Sequence, residues 1–173
     1  MDQPERRRAV ILLSFLVPLL ILPFSRSAGA HHTDPFAYCA AVGTVDAPDG
    51  RWAGPPVPVA VIEGLIRAAG LPENASRRQL RRFTFWRCMD GKVYACFVGA
   101  NLPCQSKADT RRIPTPAMWD FCAQNPDAVI IPAYVTGRET VYEWYCSGTM
   151  PTVRRQVAEP DARGFLKNIW YRI

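Results

Sequence analysis

The sequence predicts an α+β fold: two helices packed on antiparallel β-hairpins, in one disulfide-stabilised domain covering residues 31–173. Three observations carry the prediction. Six cysteines, Cys39, Cys88, Cys96, Cys104, Cys122 and Cys146, all fall in that part of the chain, and an even number in an exported protein reads as a set of bridges. Two stretches show helical periodicity between start and stop signals. The remainder is short runs of β-branched and aromatic residues broken by turn residues, which reads as strands.

The boundary at residue 31 comes from the N-terminus. Arg6, Arg7 and Arg8 precede sixteen uncharged residues, Ala9 to Phe24, and then the small-residue run Ser27-Ala28-Gly29-Ala30. That order is expected of a secretory signal peptide, residues 1–30, cleaved after Ala30. The apolar run is short for a bilayer span of ~20 residues, and Pro18 and Pro23 interrupt it, so no membrane span is expected after cleavage. The expected location is the periplasm or the exterior. Removal of residues 1–30 lowers the formal charge from +6 to +4, a mild cationic excess that suits solubility and anionic envelope material. Nucleic acid is not an expected partner of an exported chain.

Taken in order, "APDGRWAGPPVP" from Ala47 is turn and extended chain, because its prolines and glycines defeat both helix and ladder. In "VAVIEGLIRAAGLP", Ile62, Leu65, Ile66 and Ala69 recur at helical spacing, with Gly70 and Pro72 to stop the helix. "SRRQLRRF" holds Arg77, Arg78, Arg81 and Arg82, read as a solvated helical turn or a docking patch for an anion. "TPAMWDFCAQNP" gives the second main helix: Thr115 caps, Pro116 takes the first position, Asn125-Pro126 stops it, and Cys122 points at the core. Strands are expected near 83–88, 92–98, 129–135, 140–146, 152–158 and 165–172.

Asp90-Gly91 is a two-residue hairpin signal. Centred there, Cys88 faces Val93 and Cys96 faces Phe85, which puts Cys88 and Cys96 too far apart to bond. Cys96 with Cys104, Cys104 with Cys122, and Cys88 with Cys146 all stay open. The last follows from a local repeat, Trp86-x-Cys88 against Trp144-x-Cys146, which suggests two hairpins facing one core. A zinc knuckle is disfavoured by the eight-residue spacing, and redox catalysis by the lack of C-x-x-C.

His31 and His32 are the only histidines, so a Ser-His-Asp or Cys-His site inside the fold is excluded by composition. With a freed α-amine at residue 31, the two imidazoles make a copper site conceivable. Asp120, Asp127, Glu139 and Glu143 could serve glycoside hydrolysis only if a cleft gathered them. Trp52, in a Gly-Pro-rich loop, is the candidate exposed aromatic for binding, beside the four arginines.

The stretches "YCAAVGTVDAPD", "WRCMDGKVYACFVGANLPC" and "AYVTGRETVYEWYC" resemble those of small uncharacterised exported proteins of Gram-negative bacteria. The resemblance implies export and a shared cysteine pattern, without a specific activity. "EWYCSGTMPTV" is similar to one hairpin of periplasmic lysozyme inhibitors, which would imply a hydrolase partner, although the +4 charge suits a basic enzyme poorly. The expected function is a non-catalytic binding or envelope-associated protein without cofactor, its partner an envelope protein or anionic cell-wall material. A lysozyme-inhibitor-like protein and a copper-binding protein are the alternatives.

Overall fold

The computed structural model describes residues 31–99 and 101–173; the segment read as a signal peptide and Ala100 lie outside them. Helix α1, Pro35–Val42, starts where the Asp34 carboxylate accepts the Ala37 N–H at 2.8 Å, with proline at its first position, and stops at Gly43. Helix α2, Val59–Ala68, buries Val61, Ile62, Leu65 and Ile66, as the periodicity requires. A short third helix, α3, Arg77–Phe83, is capped by Ser76 and buries only Leu80.

Strands β1, Thr84–Met89, and β2, Lys92–Phe97, form the expected hairpin, with Cys88 opposite Val93 and Phe85 opposite Cys96. Asp90 and Gly91 take φ of 51° and 71°, the left-handed pair that a two-residue turn demands. Helix α4, Pro116–Gln124, has the expected cap: the Thr115 hydroxyl accepts the Met118 N–H. The expected strand at 129–135 is corrected. Pro132 cannot donate to a ladder, and from its extended backbone the chain turns into a one-turn helix, α5, Ala133–Thr136. Strands β3, Tyr142–Ser147, and β4, Met150–Gln156, pair antiparallel. The expected strand at 165–172 is also corrected. It becomes a 3-10 turn, Lys167–Ile169, and a two-residue strand, β5, Tyr171–Arg172.

The strands make two antiparallel sheets, one ordered β1-β2-β5 and one of β3-β4, so the fold is α+β with five α-helices among the described residues. The first sheet is covered on both faces. Trp86, Cys88, Val93 and Ala95 pack with Tyr38 of α1 and with Val61 and Leu65 of α2. From the opposite face, Phe85, Tyr94 and Cys96 join a second cluster built on Met118, Trp144, Cys146, Phe165 and Trp170. The two Trp-x-Cys strands therefore face different clusters, not one core. Alternation explains it: Trp86 and Cys88 point to one side of β1, and the chain that carries β3 packs against the other.

The cysteines pair as Cys39–Cys88, Cys96–Cys104 and Cys122–Cys146, with Cα separations of 5.1, 5.8 and 5.5 Å. Cys96–Cys104 is the one bridge of the three open pairings that forms; Cys88–Cys146 and Cys104–Cys122 do not. Each Trp-x-Cys strand is stapled to its own helix, Cys88 to α1 and Cys146 to α4. No cysteine is free, which fits an oxidising compartment. Among the described residues no helix is long and apolar enough to cross a membrane.

Candidate functional site

Strand β1 is the edge of its sheet. Its far end is closed by Val45, which exchanges both backbone hydrogen bonds with Cys88 at 3.0 Å. Beyond that bridge the edge opens into a cleft of about 550 Å³, a size usual for small-molecule sites. One wall is the loop of Pro48, Pro56 and Val57; the other is Gln105, Lys107, Phe165 and Trp170. Phe85 and Trp86 of β1 also line it, and the exposed Arg81 and Arg82 of α3 stand at the rim.

The walls are fixed by long-range contacts. Trp86 Nε1 donates to the Pro56 carbonyl at 2.7 Å, which seats the proline loop against the sheet. At the mouth, Asp46 accepts from Lys107 Nζ and from Arg163 Nε, each at 2.9 Å, and so ties three loops together. The hydrogen bond from Arg163, reinforced by Lys107 against a modest cost of burial, lowers the Asp46 carboxyl to about 2. A lowered carboxyl stabilises the fold above its unfolded value, 3.8, and loses that contribution as pH falls toward the folded value. Asp46→Asn is therefore expected to lower the melting temperature at pH 6 but not near pH 2. Thermal melts across that range check it, and a constant gap between variant and parent would contradict it.

Of the binding residues expected from the sequence, Trp52, Arg77, Arg78, Arg81 and Arg82, only Arg81 and Arg82 line this cleft. Arg78, Arg81 and Arg82 are exposed and make no ion pair among the described residues. Arg77 differs: its guanidinium pairs with Glu63 of α2 at 3.1 Å. Arg78, Arg82 and the 40% exposed Phe83 line a shallow depression beside the cleft, with the Arg82 guanidinium 5.4 Å from the Phe83 ring centre. Trp52 is half-buried; its ring packs edge-on against Tyr38 and Trp86, and its Nε1 donates to the Pro55 carbonyl. The expected exposed aromatic is thus backed by residues from α1 and β1.

His31 is exposed, whereas His32 is tied by its backbone to Arg51 and Ala53 and lies edge-on to Tyr38. Among the described residues no three His, Cys, Asp or Glu side chains gather as a metal site. Of the four carboxylates weighed for hydrolysis, Asp127 accepts the Gly148 N–H and Glu143 pairs with Arg154 and Arg155, while Asp120 is exposed on α4. The cleft brings none of them in.

Sequence reasoning missed Phe85, Phe165, Trp170 and Lys107, which come from segments far apart in the chain. It also missed Arg87, whose guanidinium is fully buried, paired with Asp161 and within 4.4 Å of the Phe165 and Trp170 ring centres. Alternation sets Arg87 on the face of β1 opposite Trp86 and Cys88, where Phe165 and Trp170 of the C-terminal segment cover it. The chain matches no family model, no curated protein and no solved structure.

Proposed function

We propose that the chain is a non-catalytic, envelope-associated binding protein that holds anionic envelope material on the exposed face of α3. The observation that carries this reading is the set of three exposed arginines, Arg78, Arg81 and Arg82, without carboxylate partners among the described residues. Surface guanidiniums are ordinarily neutralised in part by neighbouring acids, and three left open on two turns make a local positive field. Guanidinium forks match phosphate oxygens well. Phe83, exposed among them, adds an apolar contact that favours a lipid phosphate surface over a purely polar polymer.

Co-sedimentation with phosphatidylglycerol vesicles tests the reading, with phosphatidylcholine vesicles as the neutral control. Binding to the anionic vesicles is expected, weakened by salt and reduced about tenfold or more by the triple variant R78Q/R81Q/R82Q, at ~0.5–1 kcal/mol for each charge. Equal binding to both vesicle types, or no effect of the triple variant, would reject the lipid surface. Retention on purified peptidoglycan alone, lost in the same variant, would also reject it, and would assign the arginine face to cell-wall carboxylates.

A further inference from the structure

We infer that the cleft at the edge of β1 is a binding site for a small amphipathic anion, an apolar body carrying one carboxylate or phosphate. The inference rests on the anion-binding reading above and names a second, smaller ligand for the same cationic corner. The cleft lining is largely aromatic and aliphatic: Phe85, Trp86, Phe165 and Trp170, with Val57 and the prolines Pro48 and Pro56. Such a surface gains by covering apolar area and offers nothing to a fully hydrated polar ligand. The charged side chains of its lining are Asp46, Arg81, Arg82 and Lys107. Arg81 and Arg82 make no ion pair among the described residues, whereas Asp46, the acid at the mouth, is already neutralised by Lys107 and Arg163. A ligand that is apolar at one end and singly negative at the other complements that distribution.

The walls are fixed by the protein itself: Trp86 anchors the proline loop, Asp46 clamps the mouth, and Cys104, beside Gln105, is bonded to β2. A cleft preformed in this way loses little conformational freedom on binding.

Titration of the intrinsic tryptophan fluorescence with dodecanoate, 2-naphthoate and 1-dodecanol tests the proposal, since Trp86 and Trp170 border the cleft. At least one of the two anions is expected to bind, and whichever is tighter tells an acyl body from a flat aromatic one. The neutral alcohol should bind at least fivefold more weakly than dodecanoate if the acyl anion is the ligand. R81Q/R82Q should weaken the bound anion about fivefold or more. Gln105 is exposed on the wall, so Q105W should fill the cleft and abolish binding without disturbing the core. R78Q, outside the cleft, should leave the small anion unaffected while weakening vesicle binding. Failure of both anions to bind, or unchanged binding in Q105W, would overturn the cleft proposal; vesicle binding that persists in that case leaves the α3 reading standing. Saturable small-anion binding with no preference for anionic vesicles would uphold the cleft and reject the lipid surface.

Discussion

Asp161→Asn is expected to destabilise the protein by about 3–5 kcal/mol, the cost typical of breaking a buried ion pair by removing one partner. The Asp161 side chain is 4% exposed and that of Arg87 is wholly buried. The guanidinium has already given up water, and it is held by one carboxylate and by the faces of Phe165 and Trp170, 4.4 and 4.3 Å away. Its Nε and Nη1 have no hydrogen-bond partner among the described residues. Asparagine leaves the cation in place with a neutral acceptor, so the desolvation cost stands while most of the attraction is lost. Arg87→Met should cost less. It removes the buried cation, fills a similar volume beside the rings, and leaves Asp161 still accepting the backbone N–H groups of Arg163 and Phe165.

Urea unfolding of the two variants checks the ordering; an Asp161→Asn protein as stable as Arg87→Met would contradict it. The pair also has a pH signature. Burial by itself would push the Asp161 carboxyl up, but the hydrogen bond from Arg87 and the two backbone donors more than offset it and hold the group below its ordinary value, 3.8. Its contribution is thus complete above about pH 4 and is lost as pH falls through the lower folded value.

Removal of the Cys39–Cys88 bridge is expected to have an effect of similar size, about 4 kcal/mol, and to be the largest of the three. The bridge closes a loop of 49 residues, against 24 for Cys122–Cys146 and 8 for Cys96–Cys104. On the chain-entropy account the three are worth roughly 4, 3.5 and 2.5 kcal/mol, because a longer loop takes more freedom from the unfolded chain. Cys39 and Cys88 are also fully buried between α1 and β1, so paired alanines leave space as well as a freer chain. Chemical denaturation of the three paired Cys→Ala variants reads the order directly. A Cys96–Cys104 knockout that loses most would show that strain or packing, not loop length, governs these bridges.

The parts of the fold legible in the sequence were those fixed by neighbours along the chain. Asp90-Gly91 dictated its hairpin and with it the register of β1 and β2, and the Thr115-Pro116 pair started α4. Helix α1 carries the same kind of start, Asp34 before Pro35, but PFAYCAAV is apolar all round and shows no periodic face to signal a helix. The error at 165–172 has the opposite cause. Phe165, Leu166, Ile169 and Trp170 are all buried, yet the 3-10 turn between them follows from docking onto the sheet, not from local preference. The site was half legible. Arg81 and Arg82 stood out as a charge run, while the aromatic interior depended on Phe165 and Trp170 meeting Phe85 across some 80 residues of chain.

The order of the bridges has a consequence for how the protein is made. Read from the N-terminus, each half-cystine pairs with the very next one: first with second, third with fourth, fifth with sixth. Oxidation that simply joins successive thiols in chain order therefore yields the native set without crossing or exchange. A chain wired in this sequential manner can be completed by an oxidant alone, with no enzyme needed to shuffle wrong bonds into right ones.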